Sequence, residues 1–311
     1  MTVKVQTQGP KDPRQETSGR LYVVATPIGH RDDWSLRAQE TLKTVDWIAA
    51  EDTRHSQALM QHYGIDTPLW SLHEHNEQAK MHQLADQLQA GAKGALISDA
   101  GTPLINDPGY RLVRHLRGLE IDVIPIPGPS AVIAALSAAG VATDRFSFEG
   151  FLPAKPSKRQ KALAGLCQQP QTLVFYESPH RLLNCLRAMA QTCPQRQMVV
   201  AKELSKLYES FVSGTPDEVV TWFEAHSDAI RGEFVVILDS VSSQPADPQE
   251  AQTLSSSGDG ALALDRLIEA LLTQGLAVKQ IVQCLMHAGD YNKKKLYAHI
   301  QKIKSQSTSP Q

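Results

Sequence analysis

Residues 94–109 read GALISDAGTPLINDPG, and this stretch decides the fold class. An apolar run, Ala95-Leu96-Ile97, empties at once into Ser98-Asp99-Ala100-Gly101-Thr102-Pro103 and then Asp107-Pro108-Gly109. That is the pattern of a buried strand ending in small and turn-forming residues. It recurs twice. Leu21–Ala25 runs into Thr26-Pro27-Ile28-Gly29, and Val123–Ile126 runs into Pro127-Gly128-Pro129-Ser130-Ala131. Open α/β sheets take ligands beyond the carboxyl ends of their strands. Three such loops predict a shared pocket whose walls are largely backbone.

Outward from this stretch the first half alternates between periods. Helices are predicted at 34–45, 76–91 and 110–119, with a further strand at Trp47–Ala50, which indicates parallel βαβ units. Residues 130–140, SAVIAALSAAG, suit a buried helix ending at Gly140. The second half reads as mixed α and β. Strands are predicted at 146–148, 172–176, 197–201, 209–213 and 234–238, with antiparallel pairing around 209–212 and 234–237. Helices are predicted at 157–166, 179–190 and 216–225. Two domains are therefore expected, an alternating α/β one at 19–133 and a mixed α+β one at 134–240. A polar segment at 1–18 reads as a flexible tail. The Ser/Pro/Gln stretch 241–260 reads as a linker. Beyond it, 261–305 forms a helical extension resembling a helix-turn-helix: Leu264, Leu267 and Leu271, then Val278, Ile281 and Leu285, then Leu296, Ile300 and Ile303 behind an Asn292 cap.

Bulk properties narrow the function. With 311 residues, 41% apolar content and a formal charge of −2, the chain can bury a sizeable core and has no global attraction for nucleic acid. Any such binding needs local patches, and Lys155, Lys158, Arg159 and Lys161 form one, Lys293, Lys294 and Lys295 another. Cys167, Cys185, Cys193 and Cys284 form no CxxC pair and no zinc spacing. No signal-peptide core and no run of about 18 apolar residues is present. The expectation is a reduced, cytoplasmic enzyme without a membrane segment or metal.

Several charged clusters follow apolar runs. Glu51-Asp52-Thr53-Arg54-His55 could hold a substrate or form an internal ion pair. His73-Glu74-His75-Asn76-Glu77 offers an H-x-H spacing, but no third metal ligand is placed by sequence. In Tyr176-Glu177-Ser178-Pro179-His180-Arg181, Ser178 and Pro179 read as N-cap and N1 of a helix. Glu177, His180 and Arg181 are then left over. Ala201-Lys202-Glu203-Leu204-Ser205-Lys206 repeats the theme. The TPIG loop lacks both the G-x-G-x-x-G fingerprint and the G-K-[ST] of a P-loop.

Taken in order, TPIG, AEDTR, HEHNE, SDAGTPLINDPG, IPGPSA, GFLP, FYESPHR, AKELSK and GEFVVIL resemble the small-subunit (16S) ribosomal RNA methyltransferase branch of the tetrapyrrole methylase superfamily. The resemblance covers about residues 20–240. It implies S-adenosylmethionine-dependent 2′-O-methylation of a cytidine ribose in the decoding centre, with 16S ribosomal RNA in the 30S subunit as partner. It also implies a fold of two unequal α/β domains with the cofactor in the cleft between them, and a homodimer. By motif, the cofactor residues implied are Pro27, Ala100, Gly101, Thr102, Ile105, Ser130, Ala131, Glu177 and Leu204. Thr102 stands where the wider superfamily carries an acidic residue. A protonated ribose hydroxyl is a poor nucleophile, so a base is needed. Glu177, Lys202 and Glu203 are the catalytic candidates, with Asp52, Arg54, His75, Asn76 and Arg181 placing the RNA. The rival readings are a corrin-ring methylase, which AEDTR and HEHNE disfavour, and a non-catalytic RNA-binding protein, which predicts no cofactor affinity.

Overall fold

Strands apolar on both sides belong inside a sheet covered on both faces. In the computed structural model, β2 (Trp47–Ala50) is buried throughout, and β4 (Lys93–Ile97) is buried at all but its first residue. Both lie inside a five-stranded sheet of order β3-β2-β4-β1-β5, completed by β1 (Arg20–Val24), β3 (Leu69–Ser71) and β5 (Asp122–Ile126). The described residues are 19–73, 75–241 and, towards the C terminus, 265–306 apart from 266, 269, 270, 274, 275 and 289–292. All pairings in this sheet are parallel. Pro125, which cannot donate to a ladder, sits on the edge strand β5, as its missing N–H requires.

Helices α1 (Leu36–Thr44) and α2 (Thr53–His62) cover one face, with Ala38, Leu42 and Met60 packed on Val24, Ile48 and Ile97. Helices α3 (Glu77–Gln89) and α4 (Tyr110–Gly118) cover the other, with Leu84, Leu88, Leu112 and Leu116 against Leu21, Trp47 and Leu96. Trp47 pairs across the ladder with Gly94 and stacks on Trp70 at 5.5 Å. A Cβ on Gly94 would stand 2.2 Å from the Trp47 ring, so this strand position accepts glycine alone. Both α2 and β3 went unpredicted. Helix α2 buries only Ser56 and Met60, so its apolar stripe is too thin to read, and its start is set by the Asp52 carboxylate capping the Arg54 and His55 N–H groups.

The second sheet has the order β6-β7-β10-β8-β9, built from β6 (Phe146–Phe151), β7 (Thr172–Glu177), β8 (Met198–Lys202), β9 (Ser210–Gly214) and β10 (Phe234–Leu238). Strands β6 and β7 are parallel. The other pairings are antiparallel, with β9 bonded to β8 and β10 between β7 and β8. Helices α6 (Pro156–Leu166), α7 (Leu182–Thr192) and α8 (Pro216–Ala225) cover one face. The other face is covered by α5 (Ala131–Ala138), through Val132, Ala135 and Leu136. The division expected at 133/134 thus falls inside a helix whose buried residues all serve the second sheet.

Two expectations are corrected here. Helix α7 begins at Leu182 rather than at Pro179, because Ser178 spends its N–H on Glu177 Oε1 (2.8 Å) and its carbonyl on the Arg181 N–H (3.1 Å), forming a turn. Cys167 and Cys193 are joined in a disulfide, Cα atoms 5.7 Å apart, where free thiols were expected; Cys185 is free and buried. Packing of α6 and α7 on the same sheet face brings the pair together across 26 residues.

Residues up to Gln244 form one compact unit and those from Pro245 another. In the second, helices Val278–Ala288 and Lys293–Gln306 pack Ile281, Val282 and Leu285 against Leu296, Ile300 and Ile303, together with Ile268. The predicted 1–18 tail, nearly all of the 241–260 linker and the Asn292 cap lie outside the described residues.

Candidate functional site

Because β4, β1 and β5 are neighbours in level register (Val24 opposite both Ile97 and Ile126), their three carboxyl-terminal loops leave the sheet side by side. Hydrogen bonds tie them into one wall. Thr26 and Gly101 exchange backbone N–H···O bonds of 2.9 and 3.1 Å. The Thr26 hydroxyl donates to the Ser98 carbonyl at 3.1 Å, and the Thr102 hydroxyl donates to the Pro129 carbonyl at 2.9 Å.

Facing them is the edge of the second sheet, where β6, β7 and β8 end and β10 begins. The register Glu177↔Phe234↔Lys202 lines up those ends. Between the two edges lies a cavity of about 250 Å³. Ala100, Gly101, Thr102, Ile105, Ser130, Ala131, Glu177 and Leu204, all expected from the motifs, line it together. Pro27 does not, and its neighbour Ile28 takes the place.

This wall suits a ligand addressed by backbone. Ser130 caps α5 without a side-chain bond to the helix, and the first N–H groups of a helix have no partner within it. One of them, on Val132, bears on the Tyr176 hydroxyl and favours its ionised form. Ile28, Ile105, Leu204 and Val235 supply apolar surface, and Ser130 and Thr102 supply hydroxyls.

The three catalytic candidates separate. Glu177 is on the cavity wall, but its side chain is wholly buried and bound. Arg181 Nε lies 3.3 Å from its Oε1 and Arg181 Nη2 donates to Oε2 at 3.3 Å, while Ser178 donates its N–H. Arg181 also donates to the Leu152 carbonyl. Its role here is to hold Glu177 against the start of α7, and it does not line the cavity. Glu203 is also off the wall. Its Oε1 accepts from Lys206 Nζ and the Glu233 N–H, both at 2.9 Å. Burial would raise its carboxyl, but those two bonds outweigh it and hold Glu203 below the usual range. Lys202 ends β8, half-buried and off the wall.

The RNA candidates follow β2 and β3 on the same carboxyl edge. Asp52 is a helix cap whose carboxyl is held low by the N–H groups of Arg54 and His55, and its own N–H bonds Asp99 Oδ1 at 3.2 Å. Arg54 is 96% exposed. Asn76 closes its own turn, accepting from the His73 N–H and donating to the Ser71 carbonyl, and His75 is exposed. Among the described residues no group of three His, Cys, Asp or Glu could hold a metal ion.

Sequence reading passed over Ile28, Asn106, Asp107, Phe151, Tyr176, Glu233, Phe234 and Val235, which complete the lining. The signal for Asp107 was present in the Asp-Pro-Gly that ends the second loop, where it passes for turn chemistry. That loop is strained: Leu104 and Asn106 both hold φ near +70°. It is braced by the second sheet, since Asn106 Oδ1 stands 2.7 Å from where a Cβ on Gly150 would lie, and Gly150 sits at the β6 bulge with φ +63°. Asp107, half-buried, is pushed up to about 6 by burial and then by the field of Glu51, partly offset by the Ser98 hydroxyl. Tyr176 is pushed up to about 12 by burial, then by Asp107.

The family model for tetrapyrrole (corrin/porphyrin) methylases matches residues 20–220. The fold is shared with the methyltransferase CobJ (TM-score 0.55, 17% identity, 74% of this chain and 98% of that one). It is shared also with the cobalamin biosynthetic enzyme cobalt precorrin-4 methyltransferase, CbiF (TM-score 0.54, 15% identity, 74% and 98%). Much closer in sequence are proteins named ribosomal RNA small subunit methyltransferase I. That of Pasteurella multocida (strain Pm70) is 43% identical over 91% of this chain and 96% of its own length. That of Pseudomonas aeruginosa is 52% identical over 71% and 79%, and that of Escherichia coli O157:H7 is 49% identical over 74% and 81%. With a family model matched over residues 20–220 and a relative 43% identical over 96% of its own length, the chain belongs to the tetrapyrrole methylase family and, within it, to the ribosomal RNA small subunit methyltransferase I group.

Proposed function

We propose that the protein transfers a methyl group from S-adenosylmethionine to the ribose 2′-hydroxyl of a cytidine in the decoding centre of 16S ribosomal RNA, acting on the 30S subunit. One observation carries this reading: the chain is 43% identical to a protein named ribosomal RNA small subunit methyltransferase I over 91% of its length, a span that takes in both halves of the cleft.

S-adenosylmethionine, when bound, supplies an electrophilic methyl carbon on a sulfonium. Ala100–Thr102, Ser130 and Ala131 would hold it by backbone groups, and Ile28, Ile105 and Leu204 would enclose its apolar parts. Methyl transfer is an in-line displacement, so much of the rate comes from holding donor and acceptor at the reacting distance. Arg54 and His75, exposed on the same edge, would meet the RNA. Glu177, fixed by Arg181, would shape the cleft floor rather than move a proton.

We further infer a homodimer. Ile133, Leu207 and Tyr208 are 55%, 87% and 71% exposed, an apolar surface beside the groove formed by Ile133, Ala134, Leu204 and Phe211. No helix among the described residues is long and apolar enough to cross a membrane; action on the 30S subunit would place the protein in the cytoplasm.

The test is transfer of labelled methyl to 30S subunits lacking the modification, with the product mapped by mass spectrometry. One ribose-methylated cytidine is expected. Tight cofactor binding without transfer to the particle would return the corrin-ring reading to the front.

A further inference from the structure

Three carboxylates line the cleft: Asp107, Glu177 and Glu233. Two have a cation on them. Glu177 is paired with Arg181, and Glu233 accepts from Lys206 Nζ at 3.0 Å. Asp107 is different, because among the described residues no backbone N–H and no cation bonds it; the Ser98 hydroxyl beside it donates to the Gly101 carbonyl at 3.0 Å. It is carried by the loop that also provides Ala100, Gly101, Thr102 and Ile105 to the wall. The neighbouring Asn106 meets the Gly150 bulge, which holds this part of the loop against the opposite edge of the cleft.

We propose that Asp107 is the group that accepts the proton of the attacking hydroxyl, an assignment resting on the reading that this cleft methylates a ribose oxygen. In the step, the acceptor oxygen forms a bond to the methyl carbon as the carbon–sulfur bond breaks. The electron pair of that bond stays on sulfur, leaving neutral S-adenosylhomocysteine. The hydroxyl proton passes to an Asp107 carboxylate oxygen and later to water. The sequence-based candidates serve less well: Glu203 is off the wall and bound twice, and Glu177 has Arg181 and Ser178 on its oxygens.

The surroundings set its proton affinity. Glu51 and Asp99, from the ends of β2 and β4, bear on Asp107 with like charge, while Tyr176 faces it from β7 and Glu233 lies on the same cavity. The group that results is ionised at neutral pH yet more basic than an ordinary aspartate, as an effective general base must be.

The experiment compares wild type, Asp107→Asn and Asp107→Glu on unmethylated 30S subunits from pH 5 to 8.5. S-adenosylmethionine affinity is measured by calorimetry and folding by thermal melting. Wild-type kcat/KM is expected to climb tenfold per pH unit below about pH 6 and level off above it. Asp107→Asn should lose that limb and about 100-fold or more in rate, with cofactor Kd held within about threefold. Asp107→Glu should keep the limb at a reduced rate. An Asp107→Asn enzyme within about threefold of wild type would overturn the assignment, and so would a rate loss matched by equal loss of cofactor affinity. A wild type that binds cofactor but methylates no ribose sinks the functional reading itself, which an active wild type with an active Asp107→Asn would leave standing.

Discussion

Asp107 and Glu177 illustrate how two carboxyl groups on one cavity wall acquire opposite characters from their neighbours. Glu177 has a cation and an N–H on it, so its charge is structural. Removing that charge leaves Arg181 unpaired beside a buried site. Glu177→Gln should therefore cost about 2–4 kcal/mol of stability, read as a lower urea midpoint. If the refolded variant binds cofactor and transfers methyl at the wild-type rate, Glu177 has no part in proton transfer. Asp107 acts on stability with the opposite sign to a salt-bridged acid. Its folded pKa of about 6 lies above the ordinary 3.8, so the folded state binds the extra proton and stability falls as pH rises between those values. Asp107→Asn should remove this loss, making the variant more stable than wild type at pH 7 by about 1 kcal/mol once partial exposure is allowed for. The two proteins should converge below about pH 4.

At the level of elements, the second sheet is closed at the end away from the cleft by one buried cation. Arg196 Nη1 donates to the carbonyls of Gln171 and Asp239 at 2.9 and 3.0 Å, and Nη2 donates to those of Cys167 and Gln169. It thereby pins the end of α6, the entry to β7 and the exit of β10. Arg196→Met fills the volume but strands those acceptors, and should cost about 3 kcal/mol or more in urea unfolding. Cofactor affinity of the folded fraction should be unchanged, because no Arg196 contact reaches the cleft; a parallel loss of affinity would contradict this division. The sheet orders also explain why strands were easier to read than their pairing. Alternation and apolar runs disclose β7, β8 and β10 one at a time, whereas the insertion of β10 between β7 and β8 is a matter of which edges remain free after α6 to α8 have packed.

For the whole molecule, the cleft belongs to the unit ending at Gln244, and the helical unit beyond it has its own apolar core. Its exposed Lys294 and the basic run around it suit phosphate contact. A chain ending at Val241 should keep S-adenosylmethionine affinity within about twofold while its 30S affinity falls by about tenfold, the difference shrinking as salt is raised. Equal loss of both would place the C-terminal unit in the catalytic fold instead.

Local chemistry alone determined the three strand-to-loop transitions and the parallel first sheet, because apolar runs and turn residues carry their meaning within a few positions. Thr102, Ser130 and Leu204 were named from the family's motifs rather than from local chemistry, and all three line the cavity. Which charged groups are bound by an N–H or a cation was decided only by tertiary structure. Asp52, Glu177 and Glu203 look as reactive as Asp107 when written in a line, yet three of them are bound by N–H groups or cations brought to them by folding. Asp107 is bound by neither, and the residues that burden it, Glu51 and Asp99, arrive from neighbouring strand ends. A side chain's proton affinity depends on burial and on charges a few ångströms away. Those distances come into being when the two sheets meet.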